Sequence, residues 1–177
     1  LYNTADAIIV GNFVGKEAIA SVGGSASTII NLLVGFFVGL SSGATVIISQ
    51  YYGADNRRRV SDSVHTAIAL AIAGGVVIML IGLVSARFAL TAMGTPDDIL
   101  SLSLTYMKIY YLGTIPSMIY NMGSGILRAV GDSRRPFYFL LMSAVLNTGL
   151  DLLFVLKFGM GVEGVAYATI IAQAVSA

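Results

Sequence analysis

Long apolar stretches alternate with short polar hinges along this chain. The apolar segments cover about residues 1–14, 27–50, 63–86, 101–127, 136–157 and 164–177, and the hinges fall at 16–24, 54–62, 94–98, 129–135 and 159–164. No Asp, Glu, Lys or Arg occurs between Glu17 and Asp55, or between Asp62 and Arg87. Both uncharged runs exceed the roughly 20 residues that cross hydrocarbon as a helix. Open strand edges cannot be satisfied in lipid, and a membrane barrel would alternate strictly over segments of about ten residues. These runs are longer and do not alternate. The pattern therefore predicts an all-α membrane protein, a bundle of six transmembrane helices with the first and sixth truncated. No hinge is long enough to hold a soluble domain. The chain opens without Met and stops inside an apolar run, so it is expected to be an excerpt of a longer protein.

Basic residues orient the bundle. Arg57, Arg58 and Arg59 lie in the second hinge and Arg128, Arg134 and Arg135 flank the fourth, against Lys16, Arg87 and Lys157 on the other side. The excess of basic residues assigns the arginine hinges to the cytoplasm. Lys108 is expected near the outer start of the fourth helix, where it can snorkel. Gly11/Gly15 and Gly35/Gly39 have the spacing of close helix crossings. Pro116 is expected to kink the fourth span, whereas Pro136 opens the fifth at a position where its missing N–H costs little.

Composition agrees with a bilayer as solvent. Hydrophobic residues make up 56%, charged ones only 11%, and mean hydropathy is +0.86; a soluble domain carries about 25% charge. A net charge of +1 offers no footprint for nucleic acid. The absence of cysteine excludes disulfide frameworks and thiolate metal sites.

Against this background two carboxylates stand out, Asp6 and Asp151, each within an apolar segment. An ionisable side chain at mid-membrane costs about 3 kcal/mol on insertion scales and marks a functional site by default. Helix rise gives their depth. Asp6 lies ten residues before Lys16, roughly 15 Å from the outer surface, and Asp151 six before Lys157, roughly 9 Å. Asn147 shares a helix face with Asp151, and Thr169 enters from the same side to roughly 8 Å. Four oxygen-bearing side chains can thus meet at one level. Two adjacent buried carboxylates cannot both stay ionised without a counter-cation, so the set suits a proton or an alkali cation. The bland alternative is that both acids simply bond neighbouring helices.

Other candidates are weaker. Asn31, Asn121, Tyr120 and Gln173 are polar within spans and could line a cavity or bond across helices. Tyr106, Tyr110 and Tyr111 read as interfacial-belt and packing residues. His65, alone at the start of the third span, reads as bland. GNFVGKE lacks the spacing of a phosphate loop. No nucleophile–base set or zinc spacing is present, so an enzyme is not expected, nor is any cofactor or metal beyond Na+ at the carboxylates.

Five stretches, in order, resemble the multidrug and toxic compound extrusion (MATE) family. LYNTADAIIVGNFVGKEAIASVG is similar to its first helix and following loop, and GLSSGATVIISQYYGADNRRRV to the end of its second helix. GILRAVGDSRRPF, with Arg128, Gly131, Asp132 and Pro136, resembles its fourth-to-fifth loop; LNTGLDLLF and MGVEGVAYATIIAQ resemble its fifth and sixth helices. The resemblance implies that residues 1–177 are the N-terminal lobe of a twelve-helix, two-lobed exporter whose C-lobe is absent. It implies a multi-pass protein of a bacterial or archaeal inner membrane that exchanges H+ or Na+ for cationic amphipathic drugs. Its N-lobe cation site falls on Asp6, Asn147, Asp151 and Thr169. The rival reading is a lipid or lipid-linked oligosaccharide flippase of the same superfamily. Such proteins tend to carry several basic residues within the membrane, and this chain offers only Lys108.

Overall fold

A run with no charge must satisfy its backbone internally when water is excluded, and helix is the local solution. The structure, a computed structural model, describes residues 2–177, with side chains from Asp6 onward; Leu1, where the first apolar segment begins, lies outside the described residues. Among the described residues there is no strand. The order is α1 (Tyr2–Phe13), α2 (Lys16–Gly23), α3 (Ser25–Gly53), α4 (Arg57–Ala92), α5 (Asp97–Leu112), α6 (Thr114–Ala129), α7 (Arg134–Leu152) with a π-helical extension (Leu153–Lys157), and α8 (Gly161–Ser176).

Among the described residues, three stretches are long and apolar enough to cross a membrane: Lys16–Gly53, Arg57–Ala92 and Arg134–Lys157, with mean hydropathies of 2.0, 2.8 and 2.0. The arginine hinges are tight turns. The Asn56 side chain accepts from the Arg59 amide at 3.2 Å and caps α4. Asp132 Oδ1 accepts from the Arg134 and Arg135 amides, both at 3.1 Å, and so caps the start of α7.

The structure departs from the sequence pattern in four places. The first hinge is not a loop. After Lys16 and Glu17 its residues are small or apolar, and α2 buries Ala18, Ser21 and Val22, with the Ser103 hydroxyl of α5 donating to the Ser21 carbonyl at 3.3 Å. The fourth segment is two helices that meet at Gly113, where a kink was expected from Pro116. Proline cannot donate to the Leu112 carbonyl, and the break falls one turn upstream of it. There the Thr114 hydroxyl lies 2.7 Å from the Tyr111 carbonyl and 3.1 Å from the Gly75 carbonyl of α4. Lys108 is not at the start of its helix. It is exposed eleven residues past Asp97, roughly 16 Å along α5. Finally, a Cβ placed on Gly35 or Gly39 would meet nothing within 4 Å, so this pair makes no close crossing among the described residues. A close helix-to-backbone approach is instead at Gly75, where a Cβ would stand 2.9 Å from the Ile115 Cα, while Gly82, Gly113 and Gly125 are crowded mainly by side chains of neighbouring helices.

In the packing, α6 lies against both α3 and α4, while α8 lies against α5 and α7 and also meets α1. One apolar cluster, including Val10, Leu90, Tyr106, Met107 and Val165, fills the end away from the arginine hinges. A second, including Phe37, Ile48, Ala71, Met118 and Met122, fills the arginine-hinge end. The outward faces are also apolar: Val84 and Phe88 of α4 are 87% and 77% exposed. That arrangement suits hydrocarbon rather than water, because it leaves the interior as the place where polar groups collect.

Candidate functional site

Asp6, Asn147, Asp151 and Thr169 are all fully buried and come together where α1, α7 and α8 meet. Asn147 and Asp151 are one turn apart on α7, so both face α1 and α8. One turn earlier, the Ser143 hydroxyl donates to the Ala172 carbonyl at 2.7 Å and ties α7 to α8. Immediately past Asp151 the helix widens, and the Phe158 amide reaches back to the Leu153 carbonyl at 3.3 Å. A π-type turn of this kind often sits beside a functional site.

Asp6 is the hub. Its Oδ2 accepts from the Thr169 hydroxyl at 3.0 Å and from the Tyr106 hydroxyl at 3.3 Å. Its Oδ1 accepts from Asn147 Nδ2 at 3.4 Å. The same Nδ2 lies 3.4 Å from Asp151 Oδ1 and 3.2 Å from Thr169 Oγ1. An amide nitrogen has two hydrogens for these three acceptors, so the contacts are shared and long. Two buried atoms of the cluster have no hydrogen-bond partner among the described residues, Asn147 Oδ1 and Asp151 Oδ2.

The electrostatics are one-sided. Among the described residues the ion pairs join Arg57 to Asp55 and Arg135 to Asp132, both at the hinges. Neither Asp6 nor Asp151 has a basic partner among the described residues. Burying carboxylates this way is costly unless each is neutralised or paired. An unpartnered buried carboxylate or amide oxygen lacks a donor or a cation. The oxygen set of Asp6, Asp151, Asn147 and Thr169 can supply ligands to a proton or a hard cation such as Na+.

Tyr106 belongs to the site although its sequence context reads as interfacial belt and packing. It is 1% exposed, and its hydroxyl points at Asp6. The signal was available. Nine residues past Asp97 puts it roughly 14 Å along its helix, comparable to the depth assigned to Asp6.

The cavity candidates lie elsewhere. Gln173 is buried, and its Oε1 accepts from the Ser117 hydroxyl; Asn121 donates to the Ser117 carbonyl at 2.8 Å. The Ser41 hydroxyl donates to the Asn121 carbonyl at 2.6 Å, so these residues tie α3, α6 and α8. Asn31 is exposed beside Ser27, 3.4 Å from its hydroxyl, and Tyr120 is half-buried. Neither joins the carboxylate cluster. His65 is exposed, and its Nδ1 lies 2.8 Å from the Ser61 carbonyl.

Known proteins share the sequence pattern and the overall fold. The chain is 36% identical to the probable multidrug resistance protein YoeA of Bacillus subtilis over 92% of its own length and 36% of the relative's. It is 32% identical to the probable multidrug resistance protein NorM of Thermotoga maritima over 100% of its length and 39% of the relative's. It superposes on a crystal structure of MATE in the bent conformation with a TM-score of 0.94 at 29% identity, covering 99% of this chain and 39% of that one. An inward-facing multidrug resistance MATE transporter of the MOP superfamily gives 0.93 at 28% identity, with the same coverage. The chain thus spans less than two fifths of these relatives, about one lobe. The MatE family model matches residues 1–153, and the chain belongs to the MatE family of membrane transporters.

Proposed function

We propose that the full-length protein is a cation-coupled antiporter, exchanging H+ or Na+ for cationic amphipathic compounds by alternating access. The observation that carries this reading is the carboxylate pair. Asp6 and Asp151 are fully buried and bridged by one amide, and among the described residues they have no basic partner, while Asp151 Oδ2 and Asn147 Oδ1 have no donor. Relatives such as YoeA and NorM, named as probable multidrug resistance proteins, support drugs as the substrates, and the anionic pair favours cationic ones.

In this reading residues 1–177 are the N-terminal lobe, and a C-lobe of the same chain closes the substrate cavity. The protein sits in the cell membrane, with the arginine hinges on the cytoplasmic side. A cation entering from outside binds between Asp6 and Asp151 and relieves their repulsion. Asp6 is held by donors from α5, α7 and α8, so a change in its charge alters contacts between α1 and three other helices. The cation-loaded state binds a cationic drug less well, and drug leaves outward. Coupling is bounded by the difference in cation affinity between the two states.

One observation favours the lipid-transport alternative: Lys108 is exposed deep along α5, where it could face a phosphate. A single lysine against two buried carboxylates leaves the antiporter reading ahead.

The test is efflux of a fluorescent cationic dye from proteoliposomes holding the full-length protein, under an imposed pH or Na+ gradient. Wild-type efflux driven by one gradient and lost in Asp151→Asn supports the proposal. Full-rate efflux in Asp6→Asn and Asp151→Asn under the same gradient refutes it.

A further inference from the structure

A cleft of about 880 Å³ opens between α3 and α4 at the arginine-hinge end, far from the carboxylate cluster. Gly39 and Gly43 line it without side chains, and a Cβ on either would meet nothing within 4 Å. Met122 of α6, Ile48 and Leu70 contribute apolar lining, while Arg58 and Arg59 line the polar end.

The two arginines are available to a ligand. Arg57 is paired with Asp55, but among the described residues neither Arg58 nor Arg59 makes an ion pair, although Asp62 lines the same cleft. Arg59 is held in place by Tyr51. Its guanidinium carbon lies 5.5 Å from the ring centroid, and its Nη1 donates to the Tyr51 hydroxyl at 3.3 Å. Such stacking leaves the other guanidinium hydrogens free for an anion. Topology accounts for basic residues in this hinge, but not for their grouping at the mouth of an apolar cleft.

The depth matches one leaflet. From Arg59 to Leu70 is eleven residues of α4, roughly 16 Å, about half the ~30 Å hydrocarbon thickness. Beyond Leu70 the same helix face continues as exposed Val77, Ile81, Val84 and Phe88, an apolar track open to the bilayer. A cationic mouth, one leaflet of apolar depth and continuity with a lipid-facing stripe describe a phospholipid more closely than a packed protein segment.

We infer that this cleft binds an anionic phospholipid of the leaflet on the arginine-hinge side. Its phosphate lies at Arg58 and Arg59 and one acyl chain runs over Gly39 and Gly43. The inference is independent of the carboxylate site.

The experiment places the full-length protein in phosphatidylcholine vesicles doped with phosphatidylglycerol carrying a photoreactive acyl chain, or with phosphatidylcholine carrying the same chain. After illumination, labelled peptides are mapped by mass spectrometry. Phosphatidylglycerol is expected to label the cleft segments of α3 and α4 several-fold more than phosphatidylcholine does. Each arginine changed to glutamine should cost about fivefold, the equivalent of ~1 kcal/mol per basic side chain near an anionic surface. Gly43→Leu has room to fold and should block labelling there by either lipid; unchanged thermal stability of each variant confirms intact protein. Equal labelling by the two lipids, or a preference that survives Arg58→Gln with Arg59→Gln, overturns the inference. So does a wild-type cleft that no lipid labels while Gly43→Leu destabilises the protein, since another part of the chain would then occupy it.

Discussion

Tyr106→Phe separates a polar role for this tyrosine from a packing role. The ring is fully enclosed, and phenylalanine keeps its volume, so the substitution removes one hydrogen bond and leaves no hole. The bond lost joins the hydroxyl to Asp6 Oδ2 at 3.3 Å, longer than an ideal O–H···O contact. Hydrogen bonds to charged groups contribute about 1.5–3 kcal/mol, and a long one belongs nearer ~1 kcal/mol. Asp6 Oδ2 keeps the Thr169 hydroxyl at 3.0 Å, so no acceptor is stranded. Cation-driven dye efflux by the full-length protein should fall about fivefold, a factor that ~1 kcal/mol produces. Thr169→Val removes the shorter bond and should cost more. Tyr106→Ala should instead lower thermal stability, because deleting a buried ring costs about 3–5 kcal/mol. Wild-type efflux in Tyr106→Phe, with Tyr106→Ala impaired only through stability, would refute a polar role for this residue.

Other consequences follow from the packing. Gly125→Ala should lower the melting temperature, because its Cβ would press on the Ser41 hydroxyl and stand 2.6 Å from Thr45 Oγ1; overpacking costs about 1–3 kcal/mol. Gly43→Ala, facing open space in mid-helix, should raise it slightly, since alanine favours helix over glycine by about 0.5–1 kcal/mol. Ser117→Ala removes the donor to the buried Gln173 side-chain oxygen Oε1 and should destabilise by about 1–3 kcal/mol in thermal unfolding. Adding Gln173→Leu should recover part of that loss, since removing both partners is milder than removing one. Asp55 has φ +50, so Asp55→Val should cost roughly 1–2 kcal/mol and Asp55→Gly little, read by the same melts.

Much of this architecture is written in the chain as spacing. Charge-free runs longer than a bilayer crossing dictate helices, and counting inward from Lys16, Lys157 and Gly164 brings Asp6, Asn147, Asp151 and Thr169 to comparable depth. What spacing does not carry is lateral packing. Tyr106 looks like any membrane tyrosine until α5 is seen to turn it onto α1. The GxxxG rule selects Gly35 and Gly39, yet a close backbone approach is at Gly75, because which helices cross depends on contacts distant in sequence. The break at Gly113 needed both Pro116 and the Thr114 hydroxyl reaching to α4. The first hinge was read as a loop because its leading pair, Lys16 and Glu17, is charged, although the residues after them bury a helix face.

The central claim is that cation and drug compete through Asp6 and Asp151. Its most direct test is the equilibrium affinity of the full-length protein for a cationic dye, titrated against Na+ at fixed pH and against pH without Na+. The account predicts that one of these cations weakens dye binding to the wild type, and that Asp6→Asn with Asp151→Asn abolishes the response. Dye affinity indifferent to both cations in the wild type, or an unchanged response in the double variant, would contradict it.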